Sequence, residues 1–137
     1  MTLAHILSIG FVAALTTLAD KEAFAWMRGK KRTLDPTLLH SVHLLTWVGL
    51  ISLITTGAVL FYPMRDYLLR EPLFIMKILL VAVLLVNGVL IGRLMRIASE
   101  RTFASLNLKE KSQLLISGGA SFVGWTGALV LGLLLFY

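Results

Sequence analysis

Four apolar runs dominate this chain: Thr2 to Ala19, Leu38 to Tyr62, Leu73 to Gly92 and Leu114 to Tyr137. Each is close to the ~20 residues that an α-helix needs to cross a hydrocarbon core of about 30 Å. Open backbone hydrogen bonds are not tolerated in lipid, so each run is expected to be a helix rather than an open strand. The runs are also too continuous for the strands of a membrane barrel, which read as alternations of about 10 residues. No positive residue precedes the first run, since the first lysine is Lys21. That run is therefore expected to remain as a transmembrane helix rather than be cleaved as a signal peptide. The expectation is an all-α fold, a four-helix transmembrane bundle in up-down-up-down order. It forms a single integral membrane domain over residues 1–137, with helices at about 2–27, 36–62, 72–98 and 108–137.

Composition agrees with that reading. The chain of 137 residues is 58% hydrophobic with a mean hydropathy of +0.86, above the ~45–50% apolar content of soluble domains. In a soluble protein the net charge of +6 would point to nucleic acid; here topology accounts for it and no nucleic-acid partner is expected. The connection between the first two helices carries Lys21, Arg28, Lys30, Lys31 and Arg32, and the third connection carries Arg93, Arg96, Arg101, Lys109 and Lys111. The middle connection has Arg65 and Arg70, with Lys77 just inside the next helix. Ten basic residues against three place connections one and three in the cytoplasm and both termini outside. The absence of cysteine excludes disulfides, cysteine-ligated iron–sulfur clusters, covalent c-type haem attachment and thiol redox chemistry.

Local signals mark the helix ends. Asp35-Pro36 fits an N-cap followed by proline at the first helical position. Pro63 is expected to end helix two, Pro72 to open helix three, and Asn107 to cap helix four. The first link, "DKEAFAWMRGKKRTLDP", is basic and amphipathic, which suits the cytoplasmic interface with Phe24, Trp26 and Met27 among the headgroups. Ala120, Gly124, Ala128 and Gly132 form a small-residue stripe on helix four, and Gly88 and Gly92 lie on helix three. Such stripes let helices approach closely, within the chain or in a homodimer or larger membrane complex. "AHILSIGFV" and "VHLLTWVGL" are weakly alike, as apolar helices are by chance.

Few residues can carry chemistry: His5, His40, His43, Asp20, Glu22, Lys77 and Asn87. No catalytic serine or cysteine set, phosphate-binding glycine loop or intramembrane carboxylate pair is present. Ionisable groups in a membrane are costly, and so each needs a reason. His5 and Lys77 lie on the same side at comparable depth. Lys77 has two readings: its amine snorkels to the headgroups, or it turns inward to a partner. His40 and His43 are three residues apart on helix two, with Asp20 and Glu22 leaving helix one on the same side. Together they are a candidate divalent-metal set, although H-x-x-H alone is a weak signal. Asn87, near the middle of helix three, is expected to hydrogen-bond to another helix, with Ser117, Ser121, Thr55 and Thr56 as natural partners.

The histidine in "LAHILSIGFV" and the lysine in "FIMKILLVAVLL" resemble the copper-resistance D-type membrane superfamily, which includes small bacterial membrane protoporphyrinogen oxidases. "LHSVHLLTWVGL" is similar to the histidine–tryptophan–glycine phrasing of the wider group. The resemblance implies a b-type haem held at the positions of His5 and Lys77 and a location in the bacterial inner membrane. It departs in the first loop, where "ADKEAFAWMRGKK" lacks the oxidases' usual phrasing. Three functions follow as expectations: a haem b redox or electron-transfer protein, an accessory or scaffold subunit of a larger membrane complex, and a protoporphyrinogen oxidase-like enzyme.

Overall fold

The computed structural model describes residues 2–136. Among these the chain forms α1 (Thr2–Met27), α2 (Pro36–Phe61), a 3₁₀ turn (Tyr62–Met64), α3 (Arg65–Leu68), α4 (Pro72–Glu100), a second 3₁₀ turn (Phe103–Ser105) and α5 (Leu108–Phe136). No strand is found among the described residues. Four segments are long and apolar enough to span a bilayer. The protein is an all-α, four-helix, multi-pass membrane bundle.

The caps explain the boundaries. Asp35 accepts a hydrogen bond from the Thr37 backbone N–H at 2.9 Å, with Pro36 in the first helical position. Asn107 and Glu110 form a reciprocal capping box at the start of α5: Asn107 Oδ1 accepts from Glu110 N at 2.9 Å and Glu110 Oε2 accepts from Asn107 N at 3.0 Å. α1 ends on Gly29 at φ +73°, a left-handed conformation that a glycine adopts without a Cβ clash. There Lys30 N donates to Ala25 O and Gly29 N to Trp26 O, the double closure of a Schellman turn. Pro63 does not stop the winding after α2. It enters the 3₁₀ turn near its start, where its missing N–H costs nothing, and the chain winds on through α3.

Consecutive long helices run antiparallel and form two hairpins, α1/α2 and α4/α5, each packed closely along its length. In the first, Val12 meets Gly49 so closely that no Cβ would fit there. In the second, a Cβ at Gly124 would lie 2.6 Å from Leu84 and one at Gly127 2.6 Å from Leu80. Gly124 and Gly132 are buried, both against α4. Gly124 and Gly132, two members of the stripe expected to allow close approach, thus serve α4–α5 packing within the chain.

The hairpins join along an α2–α4 seam. Phe61 stacks on Phe74 with ring centroids 5.3 Å apart. Trp47 lies over Gly88 and His43 over Gly92. Leu34 N donates to Ala98 O at 2.9 Å. The opposite seam, α1 against α5, is thin.

One end of the bundle is closed by a side chain read from sequence as interfacial. Trp26 is 2% exposed and packs with Leu34, Ala98 and Leu106. Its indole Nε1–H donates to Arg101 O at 3.0 Å, and Phe103 meets its ring edge-on at 5.3 Å. Phe24 stays exposed. The correction has a plain cause: a tryptophan with a satisfied N–H can be buried whole, and the third connection supplies both the carbonyl and the ring. Most other large apolar side chains face outward, as lipid contact requires.

Candidate functional site

Polar side chains inside the bundle fall into three groups, and hydrogen-bond bookkeeping assigns the protons in each. The first lies on the α1/α2 hairpin. Thr56 Oγ1 donates its only proton to Ser52 O at 2.7 Å. Its 2.8 Å contact with His5 Nδ1 must then be an acceptance, which puts the imidazole proton on Nδ1. In the neutral ring, Nε2 keeps its lone pair. One turn further, Ser8 donates to Ala4 O at 2.9 Å, so Ser52 donates to Ser8 at 2.9 Å. A serine–threonine ladder therefore fixes both the ring and the tautomer of His5.

Lys77 approaches the same level from α4. It is half-buried, and its Nζ lies 3.1 Å from the place a Cβ would occupy at Gly132. The amine is thus lodged against α5, on a glycine that leaves it room, rather than extended into lipid. It is also within Coulombic range of His5. No carboxylate among the described residues forms an ion pair with it.

The second group is the buried pair between α4 and α5. Asn87 Nδ2 donates to Ser117 O at 3.0 Å, and Ser117 Oγ donates to Asn87 Oδ1 at 2.8 Å. Of the partners expected for Asn87, Ser117 is the one used. Thr55 and Thr56 donate back to carbonyls of their own helix instead.

The third group lies toward the Trp26 end. Indole N–H only donates, so the 3.1 Å contact from Trp47 Nε1 occupies the His43 Nε2 lone pair. Neutral His43 then carries its proton on Nδ1. Asp20 and His43 both line a cavity of about 190 Å³ between the hairpins. His40 is exposed, and Glu22 is ion-paired with Lys31.

The set His40, His43, Asp20 and Glu22 is accordingly not assembled as a metal centre. No group of three or more His, Asp or Glu side chains that could hold a metal ion occurs among the described residues. Three residues advance a helix by about 300°, so the two histidines differ by about 60° in direction. His43 turns in and His40 turns out. The lone pair of His43 is also spent on Trp47.

Sequence reading missed Trp125, which lines the same cavity as Ser121. Their helix offers no local signal, because the cavity is a property of four helices together.

No family model matches the chain, and the comparisons with curated proteins and solved structures found no match.

Proposed function

We propose that the protein is a b-type haem-binding redox or electron-transfer protein of the bacterial cytoplasmic membrane, oriented with both termini outside, and that His5 and Lys77 hold the haem. The observation that carries this reading is the His5 tautomer: Nδ1–H is donated to Thr56 while the Nε2 lone pair is left available. A ligating histidine commonly donates its other ring N–H in this way, which orients the ring and raises its basicity. A haem bound here would supply a one-electron ferric–ferrous couple.

The chain's own residues have separate tasks. Thr56 and Ser52 orient the imidazole. Gly132 leaves space for the Lys77 amine, which as an ammonium suits a propionate and as a free amine suits the metal. The thin α1–α5 seam supports entry of a planar ring, because few contacts there oppose separation.

The test is an absorption spectrum of the detergent-purified protein, oxidised and then dithionite-reduced, with the haem content of His5→Ala, Lys77→Met and Thr56→Val. Reduced b-type bands are expected in the wild type and should be lost in His5→Ala. Lys77→Met should lose haem or shift the bands. Thr56→Val should weaken retention by about 10–100-fold, the usual effect of removing such a partner. A colourless wild type recovered with large partners would replace this reading with the accessory-subunit one. Full haem and unchanged spectra in both His5→Ala and Lys77→Met would remove the site.

A further inference from the structure

Basic residues at one end of a membrane bundle follow from topology alone, but at the Trp26 end some of them line a groove. Its walls are the last turn of α1, the turn at Gly29 and the third connection. Arg28, Lys31 and Arg32 line it on one side and Thr102 and Phe103 on the other. These segments are held together, since Trp26 Nε1–H donates to Arg101 O and the Trp26 ring meets Phe103. Gly29, at φ +73°, reverses the chain, so residues 28 and 31–32 come to the same groove. Lys111, 5.3 Å from the centre of the Phe103 ring, brings a further cation to its rim. No carboxylate lines it.

The partners of these cations decide what the groove can take. Lys31 is paired with Glu22. Arg32 has no ion pair, side-chain hydrogen bond or aromatic partner among the described residues. Arg28 lies over the Phe24 ring at 5.3 Å, which leaves its N–H groups unspent. The nearby helix-end carbonyls do not compete for them: Phe24 O, Ala25 O and Trp26 O already accept from Arg28 N, Lys30 N and Gly29 N. Two uncommitted guanidinium forks suit a tetrahedral oxyanion, which they can hold through paired N–H···O bonds. At about 430 Å³ the groove has room for such a group and what it is attached to.

Its depth fits a lipid. α1 has 26 residues, about 39 Å at ~1.5 Å per residue, against about 30 Å of hydrocarbon. Its charged residues begin at Asp20, so the last turns and the groove lie at headgroup level. Phe24, exposed beside Arg28, offers an apolar surface to the acyl chains below. Basic pockets at this level suit anionic headgroups.

We infer that this groove binds a phosphate group, held by Arg28 and Arg32 with Lys31 and Lys111 adding positive charge. The phosphate is that of an anionic phospholipid or free phosphate from solution. The inference does not depend on haem.

The test is native mass spectrometry of the full-length, delipidated protein in neutral detergent, titrated with dioleoyl phosphatidylglycerol or dioleoyl phosphatidylcholine. Phosphatidylglycerol should bind about tenfold more tightly, because the choline cation of the other lipid meets only like charge in the groove. Arg32→Gln should weaken phosphatidylglycerol about tenfold or more, the effect of losing hydrogen bonds to a charged group. Lys109→Gln removes an equal charge from an exposed position outside the groove, and should stay within about twofold of the wild type because salt screens it. Equal binding of the two lipids, or equal effects of Arg32→Gln and Lys109→Gln, would overturn the assignment and leave only general surface attraction. The lipid comparison uses wild-type protein, so a misfolded variant does not rescue the idea. Inorganic phosphate against chloride at equal ionic strength separates the sources. Displacement of phosphatidylglycerol by phosphate beyond that by chloride shows that the groove takes free phosphate; equal displacement shows that it requires the lipid, and either supports the site.

Discussion

Gly49→Ala tests how the first hairpin is held together. A Cβ at Gly49 would fall on Val12 Cγ2, with Val12 Cβ 3.7 Å and Phe11 Cδ1 3.5 Å away. Val12 is 0% exposed, and a β-branched side chain in a helix has essentially one χ1 rotamer, so its methyl cannot swing aside. The helices must separate locally instead. Overpacking of this kind costs about 1–3 kcal/mol. Against this stands a gain of about 0.5–1 kcal/mol from replacing a mid-helix glycine by alanine. The net loss should be about 1–2 kcal/mol. Gly10→Ala on the partner helix is the control, because nothing lies within 4 Å of its new methyl; it should be neutral or stabilising. Val12→Ala combined with Gly49→Ala should recover part of the loss, a coupling of about 0.5–3 kcal/mol for groups in contact. Unfolding in mixed micelles, followed by circular dichroism, measures the wild type, Gly49→Ala, Gly10→Ala, Val12→Ala and the double variant. Equal stability of Gly49→Ala and Gly10→Ala would refute the reasoning, as would purely additive effects in the double variant.

Two further outcomes are expected. The ten-to-three distribution of basic residues predicts that a reporter fused after Tyr137 is active only outside the cytoplasm; activity confined to the cytoplasm reverses the orientation. Trp26→Phe keeps most of the ring but loses the N–H donated to Arg101 O. It should cost about 1 kcal/mol, the usual net contribution of one hydrogen bond, whereas Phe24→Leu, at an exposed site, should cost far less in the same unfolding measurement.

How much of this was legible in the sequence follows from the range of each interaction. The spans and caps were legible because hydropathy, Asp35-Pro36 and the Asn107–Glu110 box act within a few residues. Asn87 was legible in kind, since an amide in mid-membrane must find a partner. Its choice of Ser117 depended on the register of α4 against α5. The inward course of Lys77 depended on Gly132, 55 positions further along the chain, and no local pattern reports that. Trp26 was misplaced for the same reason: the carbonyl and ring that bury it belong to the third connection. The four residues of the candidate metal set do not form one cluster among the described residues, because a shared helix side is a coarser statement than a shared direction.

The division into two tightly packed hairpins bears on how the protein is made. Nearly every close contact inside a hairpin joins residues fewer than about sixty positions apart, and the first hairpin is complete before synthesis reaches Pro72. The chain therefore suits co-translational insertion in pairs: α1 and α2 zip together as they enter the bilayer, and α4 and α5 follow. Low sequence separation makes each pairing fast. Docking then remains as the late step of biogenesis, and its fasteners are the Trp47 and His43 rings on Gly88 and Gly92 and the Trp26 plug. Quality control of this protein would meet, as its last immature form, two finished halves not yet engaged.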